Sequence, residues 1–273
     1  MPYFEIHNHN VNYLEIGEGI PIILGHSSAS TAGQWKALMT GMSNSHRSIA
    51  PDHVGYGKTD VYKGSPDLIT LEVDILTHLL DQTDQPVHLI GHSYGGSLVS
   101  RLALRFPDQV KSLTLVEPTF FHLLALYDNR EGYEEIKTVA ERAKTLGEQG
   151  DFRAAAQGFI DYWVGPGGFE RMKDKIQQFV IAAMPKVGLE FDAIFYPEDN
   201  LEETLPELTC PKLLIQGEHT TQAARGVVNI LASYWSDASI WECAEGGHMC
   251  PVSHPQQVNA RISAFISDVD GLT

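Results

Sequence analysis

Cysteine, positive charge and long apolar runs are what this sequence has least of. Only three cysteines occur in 273 residues: Cys210, Cys243 and Cys250. Three thiols make no disulfide framework for a chain this long, and their spacing matches no zinc pattern. They read as reduced thiols in a cytoplasmic protein. Basic residues number 19 against 35 acidic ones, a net charge of −16. Such a surface favours solubility and argues against nucleic acid or an anionic membrane as a partner. No apolar run approaches the ~20 residues that span a bilayer. The opening MPYFEIHNHN has no basic stretch followed by an apolar one, so no signal peptide is expected. Internal repeats and low-complexity segments are missing too. What is there is a chain with 43% hydrophobic residues, enough for one large core.

Strand-like and helix-like patterns alternate along much of it. YFEIH, VNYLEIG and IPIIL, all within residues 3–25, read as three strands divided by Asn- and Gly-rich turns. A helix is expected around 33–42, then a strand at SIAPD (48–52). Leu68, Leu71, Ile75 and Leu79 share one helical face over 67–82. VHLI (87–90) and KSLTLVEP (111–118) are the next strands. The alternation implies α/β architecture, a mainly parallel sheet with helices on both faces. It breaks between about 119 and 207, where no strand candidate appears. Three apolar stripes at helical spacing lie there instead, over 134–149, over 152–163 behind an Asp151 cap, and over 169–183. Alternation resumes with KLLIQG (212–217), a helix near 221–235, ASIWEC (238–243) and a closing helix from about 255 to 268. The expected division is a core of 1–118 and 208–273, with a helical cap of 119–207 inserted between the sixth and seventh strands.

The stretch LIGHSYGGSL (89–98) carries the first chemical signal. An apolar strand stops at Gly91, exposes Ser93, and a helix begins, with Gly95 leaving room for close backbones. A serine on such a turn is held out at the sheet end, which suits a nucleophile. Gly and Ser are also ordinary turn residues, so other segments must add to it. They do, in order: GHSSASTAGQW (25–35), DHVGYGKTD (52–60), GHSYGG (91–96) and GGHMCPVSHP (246–255). With these, the chain resembles the α/β-hydrolase superfamily, specifically its capped, single-chain esterase-like group, over nearly its whole length.

The resemblance implies Ser93 as nucleophile and His248, in the GGH after the last strand, as its base. Of the other histidines, His7, His9, His46 and His78 read as surface or hairpin residues and His88 as a core residue. His92 reads as a neighbour of the site rather than a base. An oxyanion site is implied at the backbone amides of Tyr94 and Ser28. Superfamily members usually carry His-Gly ahead of the latter donor; here His26 is followed by Ser27. Many members also place an aspartate three residues beyond the glycine ending the penultimate strand, which is Gly217, and that position holds Thr220. Threonine carries no charge to stabilise an imidazolium. Glu117, which ends the preceding apolar strand before Pro118, is the expected acid, and Glu218 the surface alternative. Asp52, Gly55 and Gly57 read as a structural turn.

The implied activity is a serine hydrolase acting on a carbonyl compound through an acyl-enzyme, with no metal or organic cofactor. Ester, lactone and thioester hydrolysis and C–C bond cleavage are all open. So is a ligand-binding or regulatory protein with a residual triad, the reading Thr220 favours. Serine at the elbow argues against haloalkane dehalogenase and epoxide hydrolase chemistry, where relatives use an aspartate. Pocket candidates are His26, Ser27, His92, Phe120, Phe121, Trp163 and Met249, suggesting a small, apolar substrate for a monomer or homodimer.

Overall fold

The structure is a computed structural model that describes residues 2–272. Its eight strands are β1 (Tyr3–Ile6), β2 (His9–Ile16), β3 (Ile20–Gly25), β4 (His46–Pro51), β5 (Val87–His92), β6 (Val110–Val116), β7 (Lys212–Gly217) and β8 (Ser239–Cys243). They form one sheet in the order β1-β2-β4-β3-β5-β6-β7-β8. β1 and β2 pair antiparallel with each other, and β2 with β4. Every other pairing is parallel.

Eleven α-helices accompany the strands among the described residues. Those outside the 119–207 stretch are α1 (Lys36–Met42), α2 (Leu68–Leu80), α3 (Tyr94–Arg105), α9 (Gln222–Tyr234), α10 (Cys250–Ser253) and α11 (Pro255–Asp270). Within it lie α4 (Phe121–Leu126), α5 (Arg130–Glu148), α6 (Phe152–Val164), α7 (Asp174–Phe195) and α8 (Leu201–Thr204), with no strand among them. Strand alternation sorts the core into two layers. Ile23, Leu89, Leu113 and Leu115 face α2, α3 and α9. Ile22, Leu24, Ile90 and Val116 face the other way, toward Leu38 and Met39 of α1 and Val258 and Ile262 of α11.

Caps form where acidic residues precede apolar periodicity. Asp67 accepts from Thr70 N–H to start α2, and Asp151 from Ala154 N–H to start α6. The helix expected from the third stripe, over 169–183, departs from its sequence pattern. Phe169 and Met172 lie in the turn before it, and α7 runs through Pro185 to Phe195. Proline removes one helical hydrogen bond. Burial of Val187, Phe191 and Ile194 beyond it outweighs that loss. α5 packs on α9 and α7 on α2. Arg101 of α3 clasps Asp199 with two hydrogen bonds of 2.8 and 3.0 Å, tying the far end of the insertion to the sheet.

Of the histidines expected at the surface or in hairpins, His9 lies in the β1–β2 hairpin with its side chain buried, and His46 is buried in the core. His9 has its Nδ1 on the His7 carbonyl and its Nε2 accepting from Lys63 N–H. His46 has its Nε2 2.9 Å from Asp270. His88 bonds the other oxygen of Asp270 at 3.1 Å and Ser112 at 2.7 Å, as a satisfied core residue. The Lys111 ammonium also rests on Asp270. This knot pins the last turn of α11 beneath the amino ends of β4, β5 and β6.

Candidate active site

Three side chains meet at the carboxyl ends of the strands. Ser93 follows β5, Glu117 follows β6, and His248 lies in the turn after β8. Strands β5 and β6 are neighbours, with His92 paired to Val116, so the residues that follow them start side by side. Both hold left-handed backbones that non-glycine residues seldom adopt, φ +55° at Ser93 and +50° at Glu117. The turn at Ser93 is possible because the chain beside it is bare. A Cβ on Gly95 would lie 2.4 Å from the Gly25 backbone, and one on Gly91 2.5 Å from Gly96.

Ser93 Oγ lies 3.0 Å from His248 Nε2, and His248 Nδ1 lies 3.0 Å from Glu117 Oε2. All three side chains are buried. A carboxylate on Nδ1 keeps the proton there, leaving the Nε2 lone pair directed at the hydroxyl. Glu117 is itself fixed by two donors from the β7 end. Gly217 N–H reaches Oε1 at 2.6 Å, and Thr220 Oγ1–H reaches Oε2 at 2.5 Å. Thr220, at the position where an aspartate is common, thus holds a carboxylate that arrives from the neighbouring strand. Glu218 is exposed and accepts from Glu245 N–H.

The indole of Trp163, from α6, stacks on the other side of the imidazole. Its ring centroid is 3.8 Å from that of His248, with 26° between the planes. A cavity of about 430 Å³ opens beside Ser93 and His248. Phe159, Ile160, Trp163 and Phe179 of the insertion line one side, Met249 another, and Ser27, Ser28 and Ser30 a polar edge. Phe121 lines a smaller recess on the far side of Ser93.

Three sequence candidates border neither the cavity nor the recess. Phe120 is buried in the core. His26 is turned beneath its loop, with Nδ1 on the Ser27 carbonyl at 2.8 Å and Nε2 accepting from His53 N–H at 2.9 Å. Burial holds its pKa well below the usual histidine value, reinforced by His53. His92 is a strut between two loops. Its Nε2–H donates to the His248 carbonyl at 2.9 Å, and its Nδ1 accepts from Gln34 Nε2 at 3.0 Å. Burial, then the neighbouring His248, lowers its pKa to about 3, so the ring is neutral and both roles are fixed. Gln34 Oε1 in turn receives the Ser27 N–H at 3.3 Å and its hydroxyl at 3.1 Å. Among the described residues, the N–H groups of Ser28 and Tyr94 have no partner. Those of the following turn, Gly96 and Ser97, bond back to the Ser93 carbonyl. Ala29, next to Ser28, has φ +49°.

Asp52 is a structural hub, as its segment suggests. It accepts from Ala32 N–H, Lys58 N–H and the Asn12 amide. The cluster of potential metal ligands among the described residues is His46, His88 and Asp270, whose ligand atoms lie within 4.8 Å of one another. It is at the opposite end of the strands, and its carboxylate is already taken by the histidines and Lys111. All three cysteines are free. No helix among the described residues is long and apolar enough to cross a membrane.

The chain has relatives that share this arrangement of elements. A family model described as alpha/beta hydrolase fold matches residues 20–255. A cis-3-alkyl-4-alkyloxetan-2-one decarboxylase of Shewanella oneidensis is 30% identical over 117 residues, which is 41% of this chain and only 37% of that protein. A pimeloyl-[acyl-carrier protein] methyl ester esterase of Aeromonas salmonicida is 22% identical over 94% of this chain and 99% of its own. Among solved structures, the enol-lactonase of Burkholderia xenovorans LB400 superposes with a TM-score of 0.76 at 20% identity, over 97% of this chain and all of that one.

Proposed function

From the premise that the chain belongs to the alpha/beta hydrolase fold family, we propose that it is a serine hydrolase of small carbonyl compounds, esters first, working through an acyl-enzyme. The observation that carries the reading is the unbroken line from Glu117 through His248 to Ser93, with both links at 3.0 Å. A serine hydroxyl needs a base to attack at neutral pH. His248 Nε2 takes the proton as Oγ bonds to the carbonyl carbon, and Glu117 stabilises the imidazolium. The carbonyl oxygen becomes an oxyanion and receives the free N–H groups of Ser28 and Tyr94. Collapse expels the alcohol, which takes the proton back from His248. A water then repeats the sequence on the acyl-enzyme and restores Ser93.

Residues 119–207 act in this reading as a cap. Their apolar side chains supply most of the cavity wall, which fits an apolar acyl or alcohol group. Partial desolvation there strengthens each charge interaction the reaction uses. A protein that only binds ligands has no need of a paired base and acid on Ser93.

The test is stoichiometric labelling by a fluorophosphonate together with a panel of p-nitrophenyl esters of graded chain length, with a lactone and a β-diketone alongside. We expect labelling near one per chain and ester turnover, both lost in Ser93→Ala. Wild-type protein that neither labels nor turns over any of these compounds would exclude the reading.

A further inference from the structure

Ser93 separates two spaces. The larger is the apolar cavity of about 430 Å³. The smaller, about 20 Å³, lies between Ser28, Ser93, Thr119, Phe121, Trp163 and Glu190. That is room for one group the size of a water molecule. Its walls are mostly apolar, but two of the polar side chains that border it each keep a buried oxygen without a hydrogen-bond partner: Thr119 Oγ1 and Glu190 Oε2. Thr119 is 4% exposed and Glu190 1%. A buried carboxylate oxygen is costly to leave unpaired.

The charges behind the recess make the vacancy directional. Lys186 donates to Glu190 Oε1 at 2.7 Å, and the same ammonium donates to Glu72 at 2.8 Å. One cation therefore serves two carboxylates. His53 Nδ1 sits 3.2 Å from the second oxygen of Glu72, and Val54 N–H donates to its first at 3.2 Å. Among the described residues Glu190 has no second cation, and it borders the recess. The buried Tyr56 hydroxyl lies close to this carboxylate but makes no well-formed hydrogen bond with it.

We propose that this recess is a recognition subsite for a single small hydrogen-bond donor, a hydroxyl or amino group on the short end of the substrate, accepted by Glu190 and contacted by Thr119. The inference rests on the hydrolase reading, since it places the scissile carbonyl at Ser93 between the two spaces. A carbonyl there sends its bulky apolar portion into the large cavity and its short portion toward Glu190. The preferred substrates are then esters with a hydroxyl or amino group close to the carbonyl on one side and a bulky apolar group on the other.

Two matched ester pairs test it, each differing by one hydroxyl. Phenyl acetate and phenyl glycolate vary the short acyl end; methyl hexanoate and 2-hydroxyethyl hexanoate vary the short alcohol end. Ratios of kcat/KM are corrected for the alkaline hydrolysis rates of the same esters. A hydrogen bond to a charged acceptor predicts a preference of about tenfold or more for the hydroxylated member of one pair. That ratio should fall toward one in both Glu190→Gln and Thr119→Val, a change that altered folding alone does not produce. If phenyl acetate and methyl hexanoate are turned over but both ratios stay near one, the recess holds only a structural water and the inference is wrong. A preference that survives both substitutions also overturns it. If none of the four esters is turned over and Ser93 takes no fluorophosphonate label, the hydrolase reading falls first and takes the subsite with it.

Discussion

Glu117 carries an unusual number of duties for one side chain. It holds a left-handed backbone, accepts two hydrogen bonds from the β7 end, and meets His248 Nδ1 at 3.0 Å. Glu117→Gln keeps the shape but loses the charge and offers N–H groups to the wrong partners. A loss of kcat of about 10⁴-fold is expected, the size seen for an equivalent change of a triad acid, with circular dichroism unchanged. Thr220→Val should cost about tenfold in kcat, because it removes one donor to the carboxylate and leaves the charge in place. A Thr220→Val variant as impaired as Glu117→Gln would mean the two residues do not divide the work this way. The glutamate at the end of an apolar strand stands out in the sequence, and the structure sets it 3.0 Å from His248. The donors that hold it do not stand out. Thr220 is 103 positions away, and only the pairing of β6 with β7 brings it near. His92 was read as a neighbour of the site, but its bond to the backbone 156 positions on has no local trace.

Elements with a clear period and clear punctuation emerge from the sequence almost whole. β3, β5 and β7 are apolar runs ended by Gly or a turn, and α2 and α6 show an acidic cap before their stripes. α7 did not, because Pro185 looks like an end when only local propensity is weighed. Tertiary burial carried the helix past it, and with it Lys186 and Glu190, the residues behind the small recess. The junction of β5 and α3 is the least forgiving element contact. Gly95→Ala puts a Cβ into the Gly25 backbone, and neither main chain has a flexible end to move aside. The expected result is a melting temperature lowered by several degrees, from about 1–3 kcal/mol of overpacking. Activity should fall by more than the folded fraction explains, because Ser93 and Ser28 flank that contact. Wild-type melting and turnover in Gly95→Ala would show that the elbow does not depend on it.

Across the whole molecule, buried titratable groups set the response to acid. Burial, only partly offset by Asp270, lowers the His88 pKa to about 4, and burial lowers that of His92 to about 3. Unfolded histidine titrates near 6.5. Between that value and the folded ones the unfolded chain binds more protons, so stability is full above pH ~6.5 and declines as pH falls toward 4 and 3. Glu72 adds a lower window. Burial pushes its carboxyl up, but Lys186 and His53 outweigh burial and hold it at about 2. Its contribution is present above pH ~4.5 and lost as pH falls through about 2. Melting temperature measured from pH 8 to 4 should therefore drop below about 6.5, and less steeply in His88→Asn; a maximum near pH 5 would contradict this.

The Trp163 stack has a consequence for traffic. The same ring that forms a wall of the cavity covers one face of His248, so the doorway and proton carrier of the proposed reaction would share a part. A substrate wide enough to wedge α6 outward drags that cover off the imidazole just as it arrives. Width should then show up as slower turnover rather than weaker binding: across a series of esters with increasingly broad acyl groups, kcat falls while KM stays nearly level. The reverse pattern, rising KM at constant kcat, would mean that the doorway and the proton carrier work independently.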